Sequence, residues 1–134
     1  MFLYLLKEDN KVRFIELCKH ASEADEIVDA KEIETINVYC REMGISEEAI
    51  SDKRELDMIL EELKNGADVT EKKIILFEIL GLMLADEQYT ESEEQFVLKI
   101  IETFGIDNQS VNNMYSLLEI YKAVYKQLYM AVCL

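Results

Sequence analysis

Proline is absent from this chain of 134 residues, and glycine occurs only at Gly44, Gly66, Gly81 and Gly105. Hairpins and tight turns draw on these two residues, so a sheet of short strands has little from which to build its corners. Histidine occurs once, as His20, which leaves no supported Ser-His-Asp constellation. It follows Glu16 at i+4 and has no second copy, unlike the paired Glu-x-x-His motifs of di-iron bundles. Glycine-rich phosphate loops are missing. The three cysteines, Cys18, Cys40 and Cys133, are odd in number and lack a C-x-x-C spacing. That argues against a disulfide framework and for a reducing compartment, with Cys18 and Cys40 read as small buried hydrophobes. No enzyme is expected.

Basic residues are scarce too: 14 Lys and Arg face 28 Asp and Glu, for a net charge of −14. Such a surface repels phosphate backbones and argues against nucleic acid as a partner. The imbalance is uneven. Fifteen acids fall between Glu16 and Glu62, whereas beyond Glu102 only Asp107 and Glu119 stand against Lys122 and Lys126. The longest apolar run, Ile74 to Ala85, contains Glu78 and is too short to cross a bilayer. Met1–Leu6 is apolar but has neither the basic flank nor the cleavage site of a secretory signal. A cytoplasmic protein without direct membrane insertion is expected.

What remains is rich in Glu, Lys, Leu, Ile, Ala and Met, which favour helices. The expected fold is all-α: one domain over residues 1–134, a bundle of about six to seven helices. Met1–Leu6 reads as a short helix with Phe2, Leu3 and Leu6 inward. Asp9 or Asn10 caps a helix from Lys11 to Ala24, and Asp29 opens one that Gly44 stops. A third runs from Glu47 or Asp52 to Lys64. Thr70 caps a helix through Leu84, apolar enough to be the central one. Thr90 caps another through Phe104, stopped by Gly105, and Asp107 opens the last and longest.

The chain also repeats itself at an offset of 61 residues without a gap. Ala24-Asp25-Glu26 recurs as Ala85-Asp86-Glu87, Glu32 as Glu93, and Gly44-Ile45 as Gly105-Ile106. The apolar phase matches at Val28/Tyr89, Ile36/Val97 and Met43/Phe104. One unit used twice is expected, with pseudo-symmetric repeats over about residues 11–64 and 72–125.

Each repeat turns a corner through acidic residues, and two readings of that corner stand side by side. Asp29 with Glu32, and Thr90 with Glu93, have the spacing of a capping box, with Val28 and Tyr89 as hydrophobic staples. Asp25 and Asp86, each followed by a glutamate, fall instead at the expected end of the preceding helix, where the helix dipole disfavours negative charge. A divalent cation would offset that charge. Ca2+ or Mg2+ suits carboxylate and backbone-carbonyl oxygens better than Zn2+ does. The candidate ligands are Asp25, Asp29, Glu32, Asp86 and Glu93, with Glu26 and Glu87 secondary.

A helical corner of the form Ala-Asp-x-x-hydrophobic-(Asp/Thr)-x-x-Glu, followed a dozen residues on by an apolar-Gly-Ile stop, resembles the TerB-like domain of bacterial tellurite-resistance proteins. The resemblance covers about Phe2 to Tyr125. It implies two pseudo-symmetric helical halves, a divalent-metal site of acidic residues, and a cytoplasmic, stress-linked interaction or scaffolding role. Asp25, Glu32, Asp86 and Glu93 are the positions it carries over. Glu26 and Glu87 stand where the family often has glycine.

The last helix offers a different surface. Leu117, Ile120, Val124 and Leu128 form one apolar stripe, and Tyr121, Tyr125 and Tyr129 form a second beside it, extended by Leu118 and Val132. One stripe is expected to face the core. Tyrosine is enriched at protein interfaces, so Tyr121, Tyr125 and Tyr129 are the candidate contact for a protein partner. A homo-oligomer joined through this stripe, without metal, is the alternative reading of the chain.

Overall fold

The computed structural model describes residues 1–24, 30–46, 54–84 and 89–134. Among these, every regular element is helical: a 3-10 turn at Leu3–Leu5, then α1 (Glu8–Ala24), α2 (Ala30–Met43), α3 (Leu56–Gly66), α4 (Val69–Leu84), α5 (Glu91–Phe104) and α6 (Asn108–Cys133). The all-α architecture is the one composition implied.

Two glycines end helices in the same way. Gly44 at φ 69° and Gly105 at φ 67° both adopt the left-handed conformation. Beyond them the Ile45 N–H reaches the Cys40 carbonyl at 3.0 Å, and the Ile106 N–H reaches that of Ile101 at 3.3 Å. These are corresponding bonds, 61 residues apart, and each closes the last turn of its helix. A Cβ at either glycine would meet no neighbour within 4 Å, so substitution there strains the backbone alone. Gly44→Ala and Gly105→Ala are each expected to lower stability by about 1 kcal/mol, additively, in urea unfolding.

Other helix ends depart from expectation. α1 begins at Glu8, so Asn10 lies inside the helix rather than capping it, and it is fully buried. Asp68, not Thr70, caps α4. Its Oδ1 accepts from the Glu71 N–H at 2.8 Å, while Glu71 Oε1 accepts from the Asp68 N–H at 3.2 Å. A capping box set two residues earlier than expected explains why α3 runs on to Gly66 and the joint shrinks to Ala67-Asp68.

α4 is the central helix, buried on several sides through Ile74, Ile75, Leu76, Ile79, Leu80 and Met83. α1 supplies Phe14, Ile15, Leu17 and Cys18 to the same core. Burying one such aliphatic side chain stabilises by roughly 1.5–3 kcal/mol, so these two helices dominate the fold. α3 packs on α1 and α5, α2 packs on α1, and the N-terminal 3-10 turn lies against α2 and α4. That turn buries Leu3 and Leu6, while Phe2, expected inside, is exposed and touches Phe77 at 5.9 Å between ring centroids.

Positions 61 residues apart share burial through Phe14/Ile75, Ile15/Leu76, Cys18/Ile79, Ile36/Val97 and Met43/Phe104. The correspondence then breaks. Ile59 and Leu63 on α3 are 0% exposed, whereas Ile120 and Val124 on α6 are 58% and 47% exposed.

Candidate functional site: the acidic corners, the buried acids of α4 and the outer half of α6

Asp25, Glu26, Asp29, Asp86 and Glu87 lie outside the described residues, as does Val28. Glu32 sits in the first turn of α2, but its side chain is outside the description. Glu93 is described, and the structure gives it a definite task. Thr90 caps α5: its Oγ1 accepts from the Glu93 N–H at 3.2 Å, and Glu93 Oε1 accepts from the Thr90 N–H at 3.2 Å and the Thr90 hydroxyl at 3.1 Å. This capping box was legible in the spacing. A cation drawn to Glu93 competes with Thr90 for Oε1. Just before the cap, the Tyr89 hydroxyl meets that of Tyr115 at 3.3 Å. Burial, reinforced by this hydrogen bond and by Glu94 and Glu93, pushes the Tyr89 phenol well above its usual range.

Two acids of α4, neither of them at an acidic corner, hold the N-terminal segment. Glu71 and Glu78 are one heptad apart on α4 and both are buried. Glu71 Oε2 accepts from the Lys7 N–H at 3.0 Å and from Asn10 Nδ2 at 2.8 Å. Arg13 in turn donates to Asn10 Oδ1 at 2.9 Å. Burial pushes the Glu71 carboxyl upward, but bonds from Asn10, Lys7 and Asp68 outweigh it and hold the group below its usual value. Glu78 Oε1 accepts from the Met1 amino group at 2.8 Å and from the Phe2 N–H at 3.0 Å, and Glu42 takes the same amino group at 3.0 Å. The available signals were the Asp68-x-x-Glu71 spacing and an isolated glutamate inside the apolar run.

A second network joins α1 to α3. Glu16 accepts two bonds from Arg54, at 2.6 and 3.0 Å, and Arg54 also pairs with Glu62 at 2.7 Å. His20 Nε2 lies 2.7 Å from the Arg54 carbonyl. The lone histidine is therefore a structural one. The buried Cys18 thiol is pushed upward, chiefly by desolvation and then by Glu78 and Cys40. Among the described residues, no group of three or more His, Cys, Asp or Glu is placed to hold a metal.

α6 is where the structure overturns an expectation. Asp107 caps it, accepting from the Ser110 N–H and hydroxyl, and Val111 and Leu118 are buried. Neither stripe faces the core past Leu118. Leu117, Ile120, Val124 and Leu128 are exposed, and so are Tyr121, Tyr125 and Tyr129. The reason is coverage: α3 lies against both α1 and α5, whereas α6 packs on α4, and past Leu118 no described element covers its apolar side chains. The heptad series Val111, Leu118, Tyr125, Val132 keeps one side of α6 turned the same way while its second half leaves the body. Near the point of departure, Lys122 donates to the Leu84 carbonyl at 2.8 Å, a favourable place for a cation at a helix C-terminus. Tyr121 and Tyr125 stack, with ring centroids 6.4 Å apart.

No family model, no curated protein and no solved structure matches the chain. The site must be read on its own geometry. Residues 117–134 present three tyrosines, seven further large exposed apolar side chains, and only Glu119, Lys122 and Lys126 as charged groups. An aromatic or aliphatic side chain of this kind offers on the order of 100–200 Å2, so the arm exposes roughly 1,000 Å2 of mainly apolar surface. One partner in a standard interface buries about 800 Å2. Among the described residues, no helix is long and apolar enough to cross a membrane.

Proposed function

We propose that this chain is a non-enzymatic helical interaction module that self-associates through the distal half of α6. The observation that carries the reading is the exposed apolar surface of residues 117–134, nearly neutral on a chain of net charge −14. Exposed patches of this size mark interaction sites on soluble domains. A second copy fits because the arm is a stretch across which two such acidic bodies can approach without strong repulsion. The resemblance of the helix corners to TerB-like domains supports a scaffolding role in the cytoplasm rather than catalysis. Sedimentation velocity over a concentration series tests it: a reversible dimer is expected, and a strict monomer at high micromolar concentration removes the self-association.

The same resemblance adds a divalent cation at the corners, and that component is tested separately. Calorimetric titration with Ca2+ and Mg2+ is expected to give heat that a chain carrying Asp25→Asn and Asp86→Asn lacks. No heat at millimolar ion removes the cation and leaves the assembly standing.

A further inference from the structure

We propose that the cleft between α2 and α4 is a helix-docking slot, and that its occupant is the distal half of α6 from a second copy, which displaces residues 1–6. The proposal rests on the self-association argued above and adds where the arm lands. Its first support is the internal correspondence. At an offset of 61 residues α1 corresponds to α4, α2 to α5, and α3 to residues 117–127 of α6. α3 lies against α1 and α5. The corresponding cleft is therefore the one between α4 and α2, and the N-terminal 3-10 turn lies there instead. Where α3 buries Ile59, Leu60 and Leu63 in its cleft, the turn and the residue after it bury only Leu3 and Leu6.

The second support is the pattern on α6. The positions corresponding to Leu56, Ile59, Leu60 and Leu63 are Leu117, Ile120, Tyr121 and Val124. Every one is apolar, as a helix filling such a cleft requires, and every one is exposed. The third support is charge. Glu42 and Glu78 border the cleft and are engaged by the Met1 amino group. A docking helix must bring its own cations to these carboxylates, since a buried unpaired charge is strongly disfavoured. The arm brings Lys126, while Lys122 stays on the Leu84 carbonyl of its own body.

A second copy delivers the arm where the same copy does not. The first half of α6 is held to its own body by Val111 and Leu118, and the helix continues unbroken to Cys133. Reciprocal exchange leaves both helices intact and closes under two-fold symmetry, each arm filling the other copy's slot.

The test follows the methyl resonances of Leu3 and Leu6 by NMR on the full chain across the same concentration series used for sedimentation. Both residues are expected to leave their buried environment in proportion to the dimer fraction. A dimer in which Leu3 and Leu6 stay buried overturns the slot and leaves self-association through α6 intact. Release that does not depend on concentration assigns the slot to the chain's own helix and overturns the exchange. Absence of any dimer overturns both readings. A Leu3→Asp chain, which vacates the slot, is expected to dimerise at least about 10-fold more tightly. Unchanged affinity of a folded Leu3→Asp chain counts against the slot, and if that chain does not fold, the wild-type resonances decide.

Discussion

A chain carrying Tyr121→Glu and Val124→Glu sediments as a monomer where the unaltered chain dimerises, its association weakened at least about 100-fold, or about 2.8 kcal/mol. The two positions lie on the two different stripes of α6, so the pair disables the arm whichever stripe makes the contact. Each new carboxylate would be desolvated at an apolar interface without a partner, which costs several kcal/mol in the associated state. In the single chain both side chains are already exposed, and glutamate is a good helix former. The melting temperature of the dilute monomer is therefore expected to change little, as for other surface substitutions. Salt supplies a second readout. Two bodies of charge −14 repel, and added NaCl screens that repulsion while leaving apolar burial in place, so the unaltered chain dimerises more tightly as ionic strength rises. Equal sedimentation of the two chains, or loosening by salt, contradicts an apolar α6 interface.

Glu71→Gln is expected to lower stability by about 2–4 kcal/mol. The carboxylate accepts from Asn10, from the Lys7 N–H and from the Asp68 N–H, and it closes the cap of α4 while mooring the start of α1. A glutamine keeps the shape but loses the charge-assisted character of these bonds and turns an NH2 group toward buried donors. The sign of the pH dependence follows from the direction of the shift. The folded-state pKa lies below the usual 4.5, so Glu71 contributes its full stabilisation above that value and loses it as the pH falls through the lowered folded-state value. The stability difference between the unaltered chain and Glu71→Gln should accordingly be constant from neutral pH to about pH 5.5 and shrink below pH 4.5. Taking the difference cancels the relief of repulsion that every other carboxylate shares. Urea unfolding at a series of pH values measures it, and a difference that persists undiminished at pH 3 contradicts the role assigned to this carboxylate.

Much of the fold was legible because its signals are local. The Thr90-x-x-Glu93 spacing became a capping box, and Asp107 became a cap. Gly44 and Gly105 became left-handed helix stops, where a residue without Cβ relieves the clash that defines that region. The apolar run around Glu78 became the central helix, because a helix apolar on all faces has nowhere else to go. The Asp68 cap of α4 was a local signal passed over for Thr70, and the other misses were long-range. Asn10 looks like a cap from its neighbours, but it is drawn into the core by a carboxylate 61 residues away. Glu78 looks like an interruption of an apolar run, yet it is the group that anchors Phe2. The Asp25 and Asp86 corners, on which the cation reading depends, lie outside the described residues.

Helix identity and the helix ends at Gly44, Thr90, Gly105 and Asp107 follow from residue type and spacing alone, since propensity and capping act within a turn or two of the chain. Which apolar stripe is covered does not follow. Ile59 and Ile120 occupy corresponding positions with the same side chain, and one is buried while the other is exposed. That difference is decided by tertiary contacts: α3 has α1 and α5 beside it, while α6 packs on α4 and no described element covers Ile120. Burial of an amphipathic stripe depends on what lies across from it, and the local pattern at Ile59 and Ile120 does not distinguish the two.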